Sequence, residues 1–147
     1  MPTADDLLRL ENQLCFAVVT AARNIVAVYR PILEPLGLTH PQYLVMLALW
    51  ERSPRALADL AGDLALEPAT ASPLVKRLEA DGLVVRRRAP EDERRLEIAL
   101  TDAGRALRER AVEVPARVMA AVGMGVDEVA ALRDGLGAFA GRRLGDG

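Results

Sequence analysis

The sequence predicts a mainly α-helical chain carrying a small β-hairpin, organised as one domain. Three observations predict it. Ala, Leu, Val and Arg dominate and aromatic residues are only 3%, a mixture that leans towards helix. Apolar residues recur at steps of three and four in the segments before Gly82. After Gly82 the period changes, and two strand-like runs follow, Leu83–Arg88 and Leu96–Leu100. With 147 residues, 51% hydrophobic and 27% charged, the chain can bury a core and stay in solution.

Each element has its own signal. Leu7, Leu10, Leu14, Ala17, Val18, Ala21, Ile25 and Val28 share a helical face, so one long amphipathic helix is expected there. Pro31 and Pro35 kink or end it, and Gly37 closes the turn. Thr39 and Gln42 fit a capping box opening a second helix through Tyr43, Leu44, Leu47 and Trp50 to about Arg52. Arg55–Leu64 places Leu57, Leu60, Ala61 and Leu64 on one face, and Ala65-Leu66-Glu67 turns into Pro68, suited to a first helical position. Ala69–Asp81 is the next helix, ended by Gly82. Two short helices joined by a tight turn make a helix-turn-helix. The hairpin directly behind them, with the charged segment APEDERR between its strands, completes a winged helix-turn-helix. Thr101 and Asp102 start the last helical stretch, which Pro115 interrupts and Gly123 and Gly125 break before a final helix from about Asp127 to Arg143.

A net charge of −2 argues against a polycation that coats nucleic acid. The charge is uneven, however. Residues 76–95 hold seven cations against five carboxylates, net +2, which leaves the rest of the chain at −4. Phosphate binding needs local cations, not a basic total. The Ala69–Asp81 helix would enter a major groove N-terminus first, with Thr70 and Ser72 reaching base edges or phosphates and Ala69 and Ala71 giving apolar contact. Lys76 and Arg77 would hold backbone phosphates, and Arg86 is expected among the DNA-binding residues as well. Arg94 at the wing tip suits a narrow minor groove, and Asp92 either clamps it or shapes the turn. A solvated Arg-rich surface on an Arg-rich chain is the plainer alternative.

Location is read from absences. Met1–Asn12 carries Asp5, Asp6 and Glu11 against Arg9, unlike a signal peptide, and the apolar run Tyr43–Trp50 falls far short of the roughly 18–20 residues of a membrane span. A cytoplasmic chain without a membrane partner is expected. Cys15 is the single cysteine, so an internal disulfide and a multi-cysteine metal site are excluded, and neither cofactor nor metal is expected. The thiol is either apolar filler or a reactive group.

The winged helix, the wing tip Asp92-Glu93-Arg94-Arg95 and the run LTDAG behind it resemble the MarR family of bacterial transcriptional regulators. ENQLCFA (Glu11–Ala17) and YRPILEPLGLTHPQYLVMLALWE (Tyr29–Glu51) resemble its organic-hydroperoxide-sensing branch, of the single-cysteine type, over nearly the whole chain. The resemblance implies a homodimer, with residues 1–38 and 101–147 as dimerisation helices around a DNA-binding lobe at 39–100. It implies repression at an inverted-repeat operator in double-stranded DNA, and release when an organic hydroperoxide oxidises the N-terminal cysteine.

Spacing adds to this independently. Tyr29 lies 14 residues after Cys15, on the same helical face and about 21 Å further along. It cannot touch its own Cys15. Two such helices crossing antiparallel near residue 22 would bring Cys15 of one level with Tyr29 of the other, where a phenol could hydrogen-bond a thiolate. The resembled family gives its tyrosine this cross-subunit role. It usually has a second tyrosine where this chain has His40, its only histidine. His40 is either a plain cap-region residue or the replacement donor. With no second cysteine, an oxidised Cys15 would be capped by a low-molecular-weight thiol or overoxidised. Two alternatives remain: a regulator of the same fold released by a small phenolic ligand, and a thiol peroxidase. The second lacks a resolving cysteine, a βαβ pattern and an arginine beside Cys15, so no enzyme is expected.

Overall fold

A computed structural model describes residues 1–139. The order is α1 (Ala4–Leu7), α2 (Leu14–Leu33), α3 (His40–Glu51), β1 (Arg55–Ala56), α4 (Leu57–Asp63), α5 (Pro68–Ala80), β2 (Val84–Ala89), β3 (Asp92–Leu100), α6 (Asp102–Ala111), α7 (Val114–Val122) and α8 (Val126–Gly135). The expected winged helix-turn-helix is present: α4 and α5 joined by a tight turn, backed by an antiparallel sheet of order β1-β3-β2. The capping box at Thr39 and Gln42 forms in both directions and starts α3. Gly82 takes φ +78°, the left-handed conformation that ends α5 at low cost.

Three expectations need correction. The first helix is not continuous from Leu7. Asn12 Nδ2 donates to the Asp6 carbonyl at 2.6 Å, and Gln13 Nε2 donates to the Leu7 and Arg9 carbonyls, both at 2.8 Å. These side-chain amides satisfy carbonyls that a continuing helix would have used, so α1 closes, a 3-10 turn follows at Leu10–Asn12, and α2 begins afresh at Leu14. Arg55 and Ala56 belong to a strand, not to the first turn of α4. They pair with Ile98 and Glu97, a two-residue element too short to show alternation. The DERR segment lies in β3 itself, so the hairpin connection shrinks to Pro90-Glu91. The last helix starts at Val126, close to the expected Asp127, but ends at Gly135 and passes into a 3-10 turn at Leu136–Ala138; the expected end at Arg143 lies outside the described residues.

The core gathers the end of α2, α3, α4, α5, the sheet and α7. Leu33, Val45, Met46, Leu49, Leu60, Val75, Leu78, Val84, Ile98 and Val114 are essentially inaccessible. Each is worth about 1.5–3 kcal/mol of burial. Where β3 hands over to α6 the backbones approach closely. Trp50 Nε1 donates to the Gly104 carbonyl at 2.8 Å, Thr101 Oγ1 accepts from Gly104 N at 3.0 Å and itself donates to the Gly82 carbonyl at 2.6 Å. A β-carbon at position 104 would collide with the Leu83 carbonyl oxygen. Gly104→Ala is therefore expected to cost about 3 kcal/mol, read as a lower urea midpoint with unchanged slope. An unchanged midpoint would show that the junction gives way.

The two ends of the chain are packed differently. Along α2, residues 14–27 are exposed apart from Thr20, and along α8 every residue but Val129 and Ala130 is exposed. Leu14, Phe16, Val18, Val19, Ile25, Leu132 and Leu136 are all bare. The span Leu14–Leu36 is long and apolar enough to cross a membrane by length and composition, with 6% of it buried. The longest apolar stretch is therefore Leu14–Leu36 and not Tyr43–Trp50, and one such helix does not by itself make a membrane span.

Candidate functional site

The first candidate site is the face shared by α5 and the wing. Pro68 opens α5, and Ala69 and Thr70 follow it exposed, with Ser72 half-buried. Lys76 and Arg77 stand exposed two turns on, Arg77 within 3.7 Å of Asp81. Ala71 is a correction. It is fully buried, because Ala71, Val75 and Leu78 form the stripe by which α5 seats on the core, so its methyl group meets no base.

Arg86 is tied rather than free. Its backbone N–H donates to Glu79 Oε2 at 2.8 Å and its Nε to Oε1 at 3.0 Å, stapling β2 to the last turns of α5. Those bonds, the backbone one foremost, hold the Glu79 carboxyl below the usual range. A carboxylate depressed in this way steadies the fold above its ordinary value of 4.5 and stops doing so as pH falls through the lower folded value. The Arg86 amide proton is therefore expected to shift in an NMR titration with a midpoint below 4.5; a midpoint at or above it would mean the staple is not formed. At the wing tip, Asp92 Oδ1 accepts from Arg94 N at 3.0 Å and from Nε at 3.4 Å, while the Arg94 side chain stays 94% exposed. Asp92 thus shapes the turn and steadies the guanidinium at once. Arg88, outside the sequence-based set, is also exposed on β2.

The second candidate site surrounds Cys15. Because α2 restarts at Leu14, Cys15 sits in the first turn of a 20-residue helix instead of mid-helix. It is exposed, in an open apolar hollow of about 570 Å³ with Leu14, Val18, Val19, Leu136 and Phe139. The Leu136 and Phe139 end of this hollow, just past α8, carries no sequence signal, since it depends on how the termini pack. Tyr29 lies on the same unbroken helix. Its ring meets His40 edge-on at 4.9 Å and Tyr43 at 5.8 Å. Tyr29 and His40 are thus brought together within one protomer, and Tyr43 is a third member that sequence reading missed. Burial raises the Tyr29 phenol above its usual value and lowers the His40 imidazole, leaving both neutral near pH 7. Burial, with Tyr29 beside it, also raises Tyr43. Among the described residues, no group of three or more His, Cys, Asp or Glu is placed to hold a metal ion.

A recognition helix, a tied wing and an exposed guanidinium at its tip define a winged-helix DNA-binding regulator. The MarR family model matches residues 38–96, the lobe just described. The organic hydroperoxide resistance transcriptional regulator of Bacillus subtilis (strain 168) is 40% identical over 114 residues, covering 78% of each chain. The HTH-type transcriptional regulator TtmR of Methylorubrum extorquens (strain PA1) is 45% identical over 132 residues, covering 90% of this chain and 68% of its own. Among solved structures, AbfR of Staphylococcus epidermidis is similar in two DNA-bound forms. The reduced form gives TM-score 0.68 and 41% identity, covering 73% of this chain and 79% of its own. The overoxidised form gives 0.75 and 34%, covering 93% and 96%. The chain belongs to the MarR family and is a transcriptional regulator, not an enzyme.

Proposed function

We propose that this chain is a homodimeric repressor whose Cys15 is oxidised by organic hydroperoxides, after which operator DNA is released. The observation that carries the reading is an exposed thiol in the first turn of α2, facing an apolar hollow, on a helix whose outer face is bare. Apolar patches of this kind mark an interface. A second copy covers this one better than lipid does, because Arg23 and Arg30 lie exposed within the span and charge inside a bilayer is expensive. A cytoplasmic protein follows from that choice.

Two α2 helices crossing antiparallel near residue 22 set Cys15 of one protomer level with Tyr29 of its partner. The Tyr29 phenol, raised further by burial from a value already well above neutrality, is a hydrogen-bond donor to a thiolate at neutral pH. The thiolate attacks the outer peroxide oxygen of ROOH. The O–O bond breaks, sulfur is oxidised by two electrons to the sulfenic acid, and the remaining oxygen leaves as ROH on gaining a proton. The apolar lining favours an organic R group over hydrogen peroxide. A low-molecular-weight thiol then condenses with the sulfenic acid, forming a mixed disulfide and water. AbfR has been crystallised on DNA in an overoxidised form. We therefore assign release to the mixed disulfide, whose bulk wedges between Val18, Val19 and Phe139 and changes the separation of the two reading heads. The DNA contacts are Ala69, Thr70, Ser72, Lys76, Arg77 and Arg94, with Asp92 and Arg86 holding the wing in place.

Tyr29→Phe tests the thiol half of the reading. Losing a donor to a charged sulfur is expected to slow Cys15 oxidation by cumene hydroperoxide about tenfold or more in stopped flow. Operator affinity of the reduced protein should not change. An unchanged oxidation rate removes Tyr29 from the site.

A further inference from the structure

We propose that Asp59 and Arg95 form a strap that fixes the wing tip against the helix-turn-helix, so that Arg95 is a positioning residue and not a phosphate contact. The inference rests on reading the 39–100 lobe as DNA-binding. It starts from where backbone pairing stops. β1 holds β3 through Arg55↔Ile98 and Ala56↔Glu97. Beyond Glu97, towards the tip, only β2 lies beside β3. That pairing runs through Arg88↔Leu96, then breaks at a bulge before Ala89↔Asp92. A bulged two-stranded ribbon twists and bends easily.

At this point Arg95, two residues past the last β1 pair, donates from Nη2 to Asp59 Oδ2 at 2.8 Å, spanning 36 positions in sequence. Asp59 sits in the first turn of α4, so the strap ties β3 to the helix-turn-helix itself. Between strap and wing tip runs a groove of about 500 Å³ bordered by Pro68 at the start of α5 and by Arg94. A change in the strap therefore moves Arg94 relative to the reading end of α5. Both side chains are about half exposed, at 50% and 56%, so the pair adds little to global stability. An Arg95 used for phosphate would first have to leave a carboxylate that also repels the phosphate.

The probe is a duplex enriched from a random-sequence pool by the wild-type protein, labelled for fluorescence anisotropy. Affinity is measured across a salt series for wild type, Asp59→Asn, Arg95→Gln and the double variant, each checked by thermal unfolding. Each single change is expected to weaken binding about fivefold, the ceiling for an exposed pair. The double variant should bind no more weakly than either single, with unchanged unfolding midpoints and an unchanged salt slope. Three results would overturn the strap: a slope lower by about 0.9 in Arg95→Gln, the mark of one lost phosphate contact; tighter binding by Asp59→Asn; or single variants that bind like wild type. If the wild-type protein enriches no duplex, the DNA-binding reading itself fails and the strap with it.

Discussion

Cys15→Ser is expected to bind operator DNA as tightly as the reduced wild-type protein and to stay bound in cumene hydroperoxide concentrations that release the wild type completely. The substitution exchanges sulfur for oxygen at an exposed first-turn position, so neither the fold nor the DNA face is disturbed. A serine hydroxyl cannot take the peroxide oxygen, so no sulfenic acid and no mixed disulfide form. The effect is all-or-none rather than graded, because Cys15 is the chain's single cysteine. Competition gel shifts with and without hydroperoxide and a small thiol read it directly. A serine variant that still lets go would make the thiol structural. It would turn attention to a small-molecule trigger, the alternative in which a phenolic ligand displaces the DNA.

Val18→Asp is expected to convert the protein to a monomer and to lower operator affinity at least about a hundredfold. Val18 is exposed in the isolated chain, beside Leu14, Val19 and Leu136, and in the proposed dimer it lies in the seam near the helix crossing. Burying an unpaired carboxylate there is costly, and a C2 interface pays the penalty twice. A single reading head then contacts one half-site, losing the gain of holding two at once. Sedimentation velocity shows the change in mass and anisotropy shows the loss of affinity. A dimeric Val18→Asp protein with normal affinity would place the dimer interface elsewhere.

The elements legible in the sequence are those set by local chemistry. Thr39 with Gln42, Pro68 and Gly82 mark boundaries that the structure keeps to within a residue or two, because caps and left-handed turns depend on neighbours in sequence. The break before Cys15 was hidden, since Leu7, Leu10 and Leu14 keep helical spacing while Asn12 and Gln13 interrupt the helix with side-chain hydrogen bonds. Ala71 has the helical spacing to Val75 and Leu78 of a core stripe, and that packing overrides its place near the helix start. Partnerships across the fold had no local signature. Glu79 with Arg86, and Tyr29 with His40 and Tyr43, join residues whose meeting depends on how α2, α3, α5 and the wing pack. Cys15 and Tyr29 share an unbroken helix, as their 14-residue spacing requires.

Oxidation of Cys15 and release of the operator can be followed together in a single titration. Reduced protein on labelled operator is titrated with substoichiometric steps of cumene hydroperoxide in the presence of a small thiol. At each step, anisotropy gives the fraction released and intact-mass spectrometry the fraction of Cys15 carried as mixed disulfide. The two fractions are expected to rise together, with hydrogen peroxide far less effective at equal dose. Release that runs ahead of Cys15 modification, or fully modified protein that stays on the operator, would contradict it.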